Sequence, residues 1–149
     1  MALGLEYRAK AAYAGLIARA VAEVGPDELI MRSVVTVASA SQLSRVEGLQ
    51  VYGATGAGIV IETPRYRAFT TLARDLAAQG VAFSEIAGND QIMLTALSDA
   101  PDEPGALLSL PRQGRGGYRH LILLPVTDLT GWIARMDGSA LILEHIHDY

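Results

Sequence analysis

Residues 58–87 read GIVIETPRYRAFTTLARDLAAQGVAFSEIA, and this stretch carries the clearest structural pattern in the chain. It begins with a β-branched apolar run, which is typical of a strand. Thr63 and Pro64 then suit the N-cap and the first position of a helix, and Gly80 suits its end. A second apolar run follows at 81–87. The stretch therefore predicts a strand, a helix and a second strand in succession.

The helix at 63–80 has an apolar stripe that would face a core. Its members recur at spacings of three or four residues: Tyr66, Phe69, Leu72, Ala73 and Leu76. Before the helix, LQVY at 49–52 and the run at 58–62 predict two strands joined by a glycine-rich turn. After it, the runs at 81–87 and 91–97 predict a hairpin, because the turn-forming sequence Gly-Asn-Asp lies between them.

The C-terminal third of the chain also predicts strands with a helix between them. Residues 98–117 are rich in turn formers and predict an excursion with one short strand. The apolar run at 119–126 predicts a buried strand, and 139–148 predicts a last strand. Between them, 127–138 predicts a short helix that ends at Gly138 and turns three apolar residues inward: Leu129, Ile133 and Met136.

The N-terminal part predicts helix. Residues 5–24 have an amphipathic pattern that Gly25 and Pro26 end, and its apolar positions are Leu5, Ala9, Ala12, Tyr13, Leu16, Ile17, Ala20, Val21 and Val24. Residues 27–45 are ambiguous, since Pro26 followed by two acidic residues is a good helix start, whereas VVTV at 34–37 favours a strand. We favour helix there, which gives an N-terminal helical segment of about 5–45.

Together these elements predict an α+β fold in a single domain spanning residues 1–149. The sheet-containing part would cover about 46–149. We expect one mixed β-sheet with helices on one face, because strand–helix–strand units recur along the chain. Their order resembles the split βαβ arrangement of ferredoxin-like folds. This resemblance concerns element order alone and does not define a function.

The composition limits the classes of function. Half of the 149 residues are hydrophobic and the net charge is −4, so the chain has material for a core and no basic footprint for nucleic acid. No apolar run is long enough to span a membrane, and no signal peptide is evident, which predicts a soluble cytoplasmic protein. Cysteine is absent, which excludes disulfides and thiolate chemistry. The apolar excess predicts a homo-oligomer.

The first candidate site is EHIHD at positions 144–148. His145 and His147 would share one face of the last strand, while Glu144 and Asp148 would share the other unless a bulge turned them. Two imidazoles on one face suit acid–base chemistry or a transition metal, but a metal needs a third ligand. His120 is a poor third ligand, because it begins its strand. A polar strand end that meets water is the simplest interpretation, and no metal is favoured.

Arginines form the second group of candidates. Arg112, Arg115 and Arg119 lie in or beside a glycine-rich loop, where guanidinium groups can bind a phosphate or a carboxylate. Arg65 and Arg67 lie at the expected first turn of a helix, whose free N–H groups also favour anions. Solvated surface arginines are the alternative interpretation of both groups.

Two functions follow as hypotheses. The first is a non-enzymatic regulatory, ligand-binding or assembly domain that binds a small anionic ligand or a protein partner. The second is a small enzyme that uses His145 and His147, with Glu144 or Asp148, as acid–base groups or metal ligands while arginines hold an anionic substrate. The absence of a complete catalytic constellation favours the first hypothesis, and no cofactor can be named.

Overall fold

Eight strands and three helices alternate along residues 29–147, which are the residues that the computed structural model describes. The strands are β1 (Ile30–Thr36), β2 (Gln50–Thr55), β3 (Gly58–Pro64), β4 (Ala82–Ile86), β5 (Gln91–Ser98), β6 (Leu108–Pro111), β7 (Tyr118–Pro125) and β8 (Ile142–His147). The helices are α1 (Ser41–Ser44), α2 (Arg67–Ala78) and α3 (Leu129–Met136), and a 3₁₀ turn (Val126–Asp128) precedes α3.

The strands form two four-stranded sheets. Sheet A has the order β2-β3-β1-β4 and sheet B the order β6-β7-β5-β8, and every neighbouring pair is antiparallel. The α+β class is therefore correct, whereas the single mixed sheet is wrong. The ferredoxin-like arrangement is not confirmed. The helix expected at 5–24 lies outside the described residues.

The helical segment expected to reach residue 45 is corrected by β1. Ile30–Thr36 is a central strand of sheet A, paired with β3 on one side and β4 on the other. The β-branched residues around Val34 and Val35 pack well on a pleated surface, and this preference prevails over the helix-start signal at Pro26. The only helix in the described part of that segment is the short α1.

The hairpin expected from 81–87 and 91–97 is also corrected. Both strands exist, but β4 belongs to sheet A and β5 to sheet B. The turn between them is tight: the N–H of Ile86 donates to the carbonyl of Asn89 at 3.0 Å, and Ala87 has a φ of 50°. The chain therefore crosses from one sheet to the other, and does not fold back on the same one.

Residues 30–86 and 91–147 repeat one pattern of three strands, a helix and a strand. In each half the first strand is central, between the third and fourth, and the second strand pairs with the third. Ile30 pairs with Pro64 in the first half as Gln91 pairs with Pro125 in the second. Corresponding positions of the first strand therefore differ by 61 residues, since 91 − 30 = 61, and so do those of the third, since 125 − 64 = 61.

A β-bulge strengthens the correspondence. The pairing of the first with the fourth strand shifts between Val34 and Val35 in sheet A, and between Thr95 and Ala96 in sheet B. These are corresponding positions, because 34 + 61 = 95. The two halves therefore share their bulge as well as their strand order.

The helices are exchanged between the halves. Helix α2 packs against β8 and α3 against β4, and the two helices contact each other. The hydroxyl of Thr70 in α2 accepts the N–H of Ile146, and that of Thr130 in α3 donates to the carbonyl of Val81 before β4. Such reciprocal contacts between corresponding elements indicate an approximate two-fold relation. Each helix also covers an edge strand that would otherwise be open.

The start of α2 differs from the prediction. β3 continues to Pro64, and the helix begins only at Arg67, with Tyr66 in the capping position at a φ of 62°. The pairing of Pro64 with Ile30 extends the strand past the expected cap at Thr63. Tyr66 is exposed, so it is not part of the inward stripe. The other four residues predicted to face inward are buried: Phe69, Leu72, Ala73 and Leu76.

One hydrophobic cluster joins the two halves. It includes Phe83 and Ile61 of sheet A, Leu94 and Ile122 of sheet B, and the buried faces of α2 and α3. The inward residues predicted for α3 are part of it: Leu129, Ile133 and Met136. Within residues 29–147, no helix is long and apolar enough to cross a membrane.

Candidate functional site

The bulge in β8 rearranges the histidine motif. Thr95 pairs with His145 and Ala96 with Leu143, so Glu144 is the additional residue on β8. Leu143 packs in the core, and both histidines lie on the opposite face, which we call the outer face of sheet B. The bulge interrupts the regular alternation, which would have put Glu144 on the face opposite the histidines. Only tertiary pairing reveals the bulge, because no residue in ILEHIH marks it.

Glu144 points to the outer face, where Arg119 binds it. The Nε and Nη2 groups of Arg119 each donate to a carboxylate oxygen of Glu144 at 2.7 Å. The hydrogen bonds from Arg119 lower the pKa of Glu144, whereas burial of the carboxylate raises it. A hydrogen bond from the Thr95 hydroxyl also lowers the pKa of Glu144. The same hydrogen bond and charge raise the pKa of Arg119. Arg119 is thus engaged with an internal carboxylate at the position where an anionic ligand was expected.

The two imidazoles contact each other edge to face. Their centroids are 4.9 Å apart with an interplanar angle of 89°. Nδ1 of His145 lies 3.3 Å from the hydroxyl of Thr70, which already accepts the N–H of Ile146 at 3.0 Å. The hydroxyl donates to Nδ1 when the ring proton of neutral His145 is on Nε2, and accepts from Nδ1 in the other tautomer.

His147 is a weak base. The pKa of His147 is lowered to about 4, chiefly by burial and also by the charge of His145, while Glu144 acts in the opposite direction. His147 is therefore neutral at pH 7. No three His, Asp or Glu side chains among residues 29–147 are grouped to hold a metal ion, and Asp148 lies outside that range.

His120 lies on the other face of sheet B and is fully buried. Its Nε2 is 2.8 Å from the hydroxyl of Ser98, and its Nδ1 is 2.7 Å from that of Ser109. The sheet therefore separates His120 from the other two histidines. This serine–histidine–serine group was not predicted. The available signal was alternation, which gives His120 the same face as the buried Ile122.

The remaining arginines are dispersed. Arg112 is half-buried after β6 and contributes to the lowered pKa of Glu144, while Arg115 is exposed in the following loop. Arg65 is buried directly after β3, and its backbone N–H donates to the backbone carbonyl of Leu29 at 3.1 Å. Arg67 is the exposed first residue of α2. The expected arginine pair at the first turn is therefore divided between a buried and an exposed site.

Two clefts, of about 750 and 510 Å³, open on the described surface. The larger one lies between the C-terminal ends of α2 and α3 and the start of β8. The smaller one lies under the loop after β5 and contains Trp132. Neither cleft is lined by the predicted histidines or arginines, so those side chains do not converge in either one.

Beside its polar groups, the outer face of sheet B carries a group of apolar side chains. Its side chains are buried or half-buried, yet they do not belong to the central core cluster: Met93, Leu97, Leu108, Leu121 and Leu123. At the corresponding positions of sheet A, Arg32 replaces Met93 and Glu62 replaces Leu123. Arg32 pairs with Glu62 at 3.2 Å and lies over the ring of Tyr52 at 3.7 Å.

No protein-family model, curated protein or solved structure matches this chain. The geometry of the two sheets and the contrast between their outer faces are therefore the observations that bear on function.

Proposed function

We propose that this protein acts by binding, as an assembly or regulatory domain whose docking surface is the outer face of sheet B. The partner in this proposal is an apolar polypeptide segment. A small anionic ligand is less well supported, since the Arg119 guanidinium is already bound to Glu144. A cytoplasmic location and a homo-oligomeric state remain predictions from composition.

The contrast between the sheets carries the proposal. Two halves of one chain use the same strand order and the same bulge, but the Arg32–Glu62 ion pair between the first and third strands of sheet A has no counterpart at the corresponding positions of sheet B. At those two positions sheet B has Met93 and Leu123. An apolar sheet face in water is unfavourable and usually marks a contact surface. Sheet A is thus an internal reference for the solvated form of the same scaffold.

The polar groups of the site support binding over catalysis. Glu144 is held by Arg119 through two hydrogen bonds, and Nδ1 of His145 is engaged with Thr70. His147 is neutral at pH 7 because its pKa is about 4. A general base for neutral solution needs a pKa nearer 7, so His147 is poorly matched to that role.

Hydroxyl-radical footprinting of the full chain tests the proposal. We expect Leu121 and Leu123 to be oxidised several-fold more slowly than Val60, which corresponds to Leu121 in sheet A and is also half-buried. Protection of the leucines would show that the face is covered in solution. Equal oxidation of Leu121 and Val60 would overturn the proposal.

A double variant supplies the matched control. Met93→Arg with Leu123→Glu copies the Arg32–Glu62 pair of sheet A onto sheet B, where the scaffold is the same. We expect the variant to fold with this face uncovered, because the new pair would then meet water as Arg32 and Glu62 do in sheet A. Leu121 should then lose its protection, because charged groups oppose apolar docking. Retained protection in a folded variant would contradict the proposal.

An enzyme is the second candidate function, and one observation favours it. The bulge brings the carboxylate of Glu144 to the same face as His145 and His147, which a regular strand would not do. An accessible imidazole beside a carboxylate is a common acid–base arrangement. The variant His145→Ala tests it: any hydrolytic or isomerase activity detected in a substrate screen should disappear. Unchanged activity would exclude His145 as the base.

A further inference from the structure

We propose that the serine–histidine–serine group of sheet B is a nucleophilic site that takes an acyl group from a thioester or an aryl ester. Ser98 is the nucleophile, His120 is its base, and Ser109 is the positioning residue that orients the base. The group lies on the face of sheet B opposite the proposed docking surface. This inference therefore goes beyond the proposed function and does not depend on it.

Three adjacent strands bring the group together. Ser98 ends β5, His120 lies near the start of β7, and Ser109 is on β6. The Ser98 hydroxyl is 2.8 Å from Nε2 of His120, and the Ser109 hydroxyl is 2.7 Å from Nδ1. A serine within hydrogen-bond reach of a base, with a third group on the other nitrogen of that base, is the arrangement that activates a hydroxyl for attack.

The two hydroxyls can hold the tautomer that the chemistry needs. When the ring proton of neutral His120 is on Nδ1, it donates to Ser109, and Nε2 accepts the proton of Ser98. In the other tautomer Nε2 donates to Ser98, and the hydroxyl is not activated. The backbone N–H of Ala100 donates to the Ser98 hydroxyl oxygen at 3.2 Å, which stabilises negative charge on that oxygen as its proton leaves.

Sheet A shows that the scaffold does not require these polar groups. At the three corresponding positions it has apolar side chains: Val37, Ile59 and Ala54. The first two follow from the offset between the halves, since 98 − 61 = 37 and 120 − 61 = 59, and the third from the pairing of β2 with β3 and of β6 with β7. Burial of an imidazole costs desolvation that an apolar residue would not. A chemical role for the group accounts for this difference between the sheets.

Ser98 connects the group to a cleft. It is half-buried and lines the cleft of about 510 Å³, whereas His120 is fully buried. Small-molecule sites typically have volumes of about 300–1,000 Å³. Several apolar residues of the lining suit an acyl chain: Pro104, Trp132, Met136 and Leu141. A substrate in this cleft therefore meets the hydroxyl of Ser98 before the imidazole behind it.

The burial of His120 selects the class of substrate. An imidazole covered by the serine is poorly placed to protonate a leaving group, so the donor must release a group that is stable as an anion, such as a thiolate or a phenolate.

The reaction has two steps. The Ser98 proton first moves to Nε2 of His120, the bond from Oγ to the acyl carbon forms, and the bond to the leaving group breaks with its electron pair. The imidazolium then gives its proton to the solvent. Water hydrolyses the acyl-serine in the second step, which returns a proton to Oγ and releases a carboxylic acid.

Labelling of the full chain with diisopropyl fluorophosphate tests the proposal, because an activated serine forms a bond to phosphorus with loss of fluoride. Ser139 is the internal reference, since it lines the same cleft but its hydroxyl donates to the backbone carbonyls of Met136 and Leu141. Peptide mass spectrometry follows both serines in one sample. We expect Ser98 to be modified about ten-fold faster than Ser139, or more. p-Nitrophenyl butyrate should likewise leave a butyryl group on Ser98, with a burst of p-nitrophenolate.

Three variants separate activation from folding, which circular dichroism checks. His120→Gln should slow the labelling of Ser98 by about ten-fold or more and leave that of Ser139 unchanged. Ser109→Ala should slow it several-fold, and Ser109→Thr should restore it because threonine keeps the hydroxyl. Nitrogen NMR should show a changed tautomer balance of His120 in Ser109→Ala and not in Ser109→Thr, which a purely structural role of Ser109 would not require.

Each contrary result has one meaning. Equal labelling of Ser98 and Ser139, or none at Ser98, would overturn the proposal and leave the group as a set of structural hydrogen bonds. Unchanged labelling of Ser98 in folded His120→Gln would also overturn it. If His120→Gln does not fold, the Ser109 variants decide, and equal rates in Ser109→Ala and the unaltered chain would overturn it. Labelling by the fluorophosphate without any butyryl adduct would overturn the acyl substrate. None of these results bears on the protection of Leu121, which tests the proposed docking function separately.

Discussion

Replacing Thr70 with valine removes a hydroxyl that joins the two halves of the molecule. The Thr70 hydroxyl accepts the N–H of Ile146 at 3.0 Å and contacts Nδ1 of His145 at 3.3 Å. Valine preserves the shape of threonine, so the main loss is the acceptor for a buried N–H group. Thr70 is 5% exposed and Ile146 is fully buried, so water cannot replace the bond without an opening of the structure.

An unsatisfied buried donor costs about 1–3 kcal/mol. We therefore expect Thr70→Val to lower the free energy of unfolding by about 2 kcal/mol, within that range. For a chain of this length each kcal/mol corresponds to about 2–4 °C in the melting temperature. Urea denaturation followed by circular dichroism measures the change as a shift of the midpoint at constant slope. Nitrogen NMR should also show a changed tautomer balance of neutral His145, because Nδ1 loses its hydroxyl partner.

Thr71→Val is the matched control, because Thr71 is the next residue of α2 and is exposed. Its hydroxyl makes only a 3.4 Å contact to the carbonyl of Arg67. We expect this substitution to change the free energy of unfolding by less than about 0.5 kcal/mol. If Thr70→Val and Thr71→Val were equally stable, the bond to Ile146 would not hold α2 against β8.

Three further outcomes are expected. Arg119→Ala should lower the free energy of unfolding by about 0.5–1 kcal/mol at pH 7, since the pair is partly exposed. That difference should disappear as the pH falls through the lowered pKa of Glu144 and its carboxylate is protonated, which denaturation at several pH values would reveal. The pKa of His147 is about 4 in the folded chain and about 6.5 when unfolded, so stability should decrease on acidification between these values, by at most about 1.4 kcal/mol per pH unit. His147→Gln should reduce this slope, and an NMR titration midpoint near 6.5 would contradict the argument. Gly131→Ala should raise the free energy of unfolding by about 0.5–1 kcal/mol in thermal melts, because the added methyl group on this exposed face of α3 meets no atom within 4 Å.

Local patterns predicted the elements that depend on neighbouring residues. The glycine-rich stretch between β2 and β3 predicted a turn between two strands, and these strands do pair as a hairpin. Gly80 and Gly138 were expected to end helices, and each has a positive φ two residues after the last residue of a helix. Such features follow from backbone conformation and short-range periodicity, which depend on residues close together in the sequence.

The sequence-based prediction was wrong where pairing between distant strands, and not a local pattern, determined the structure. Thr63 and Pro64 have the chemistry of a helix start, but pairing with β1 extends β3 through both of them. The Gly-Asn-Asp turn was correct as a turn, but it connects two sheets and not two strands of one hairpin. In each case the partner strand is distant in sequence, and no local pattern identifies it.

The sequence alone determined the number and kind of most elements, the inward faces of α2 and α3, and the presence of His145 and His147 on one side of a last strand. It did so because burial and periodicity act over a few residues. Only the tertiary structure decided that the strands form two sheets, that the halves exchange helices, and that a bulge turns Glu144 toward the histidines. These features arise from pairing between residues separated by tens of positions. The apolar character of sheet B's outer face became recognisable in the same way, since the register places Met93 and Leu123 where sheet A has Arg32 and Glu62.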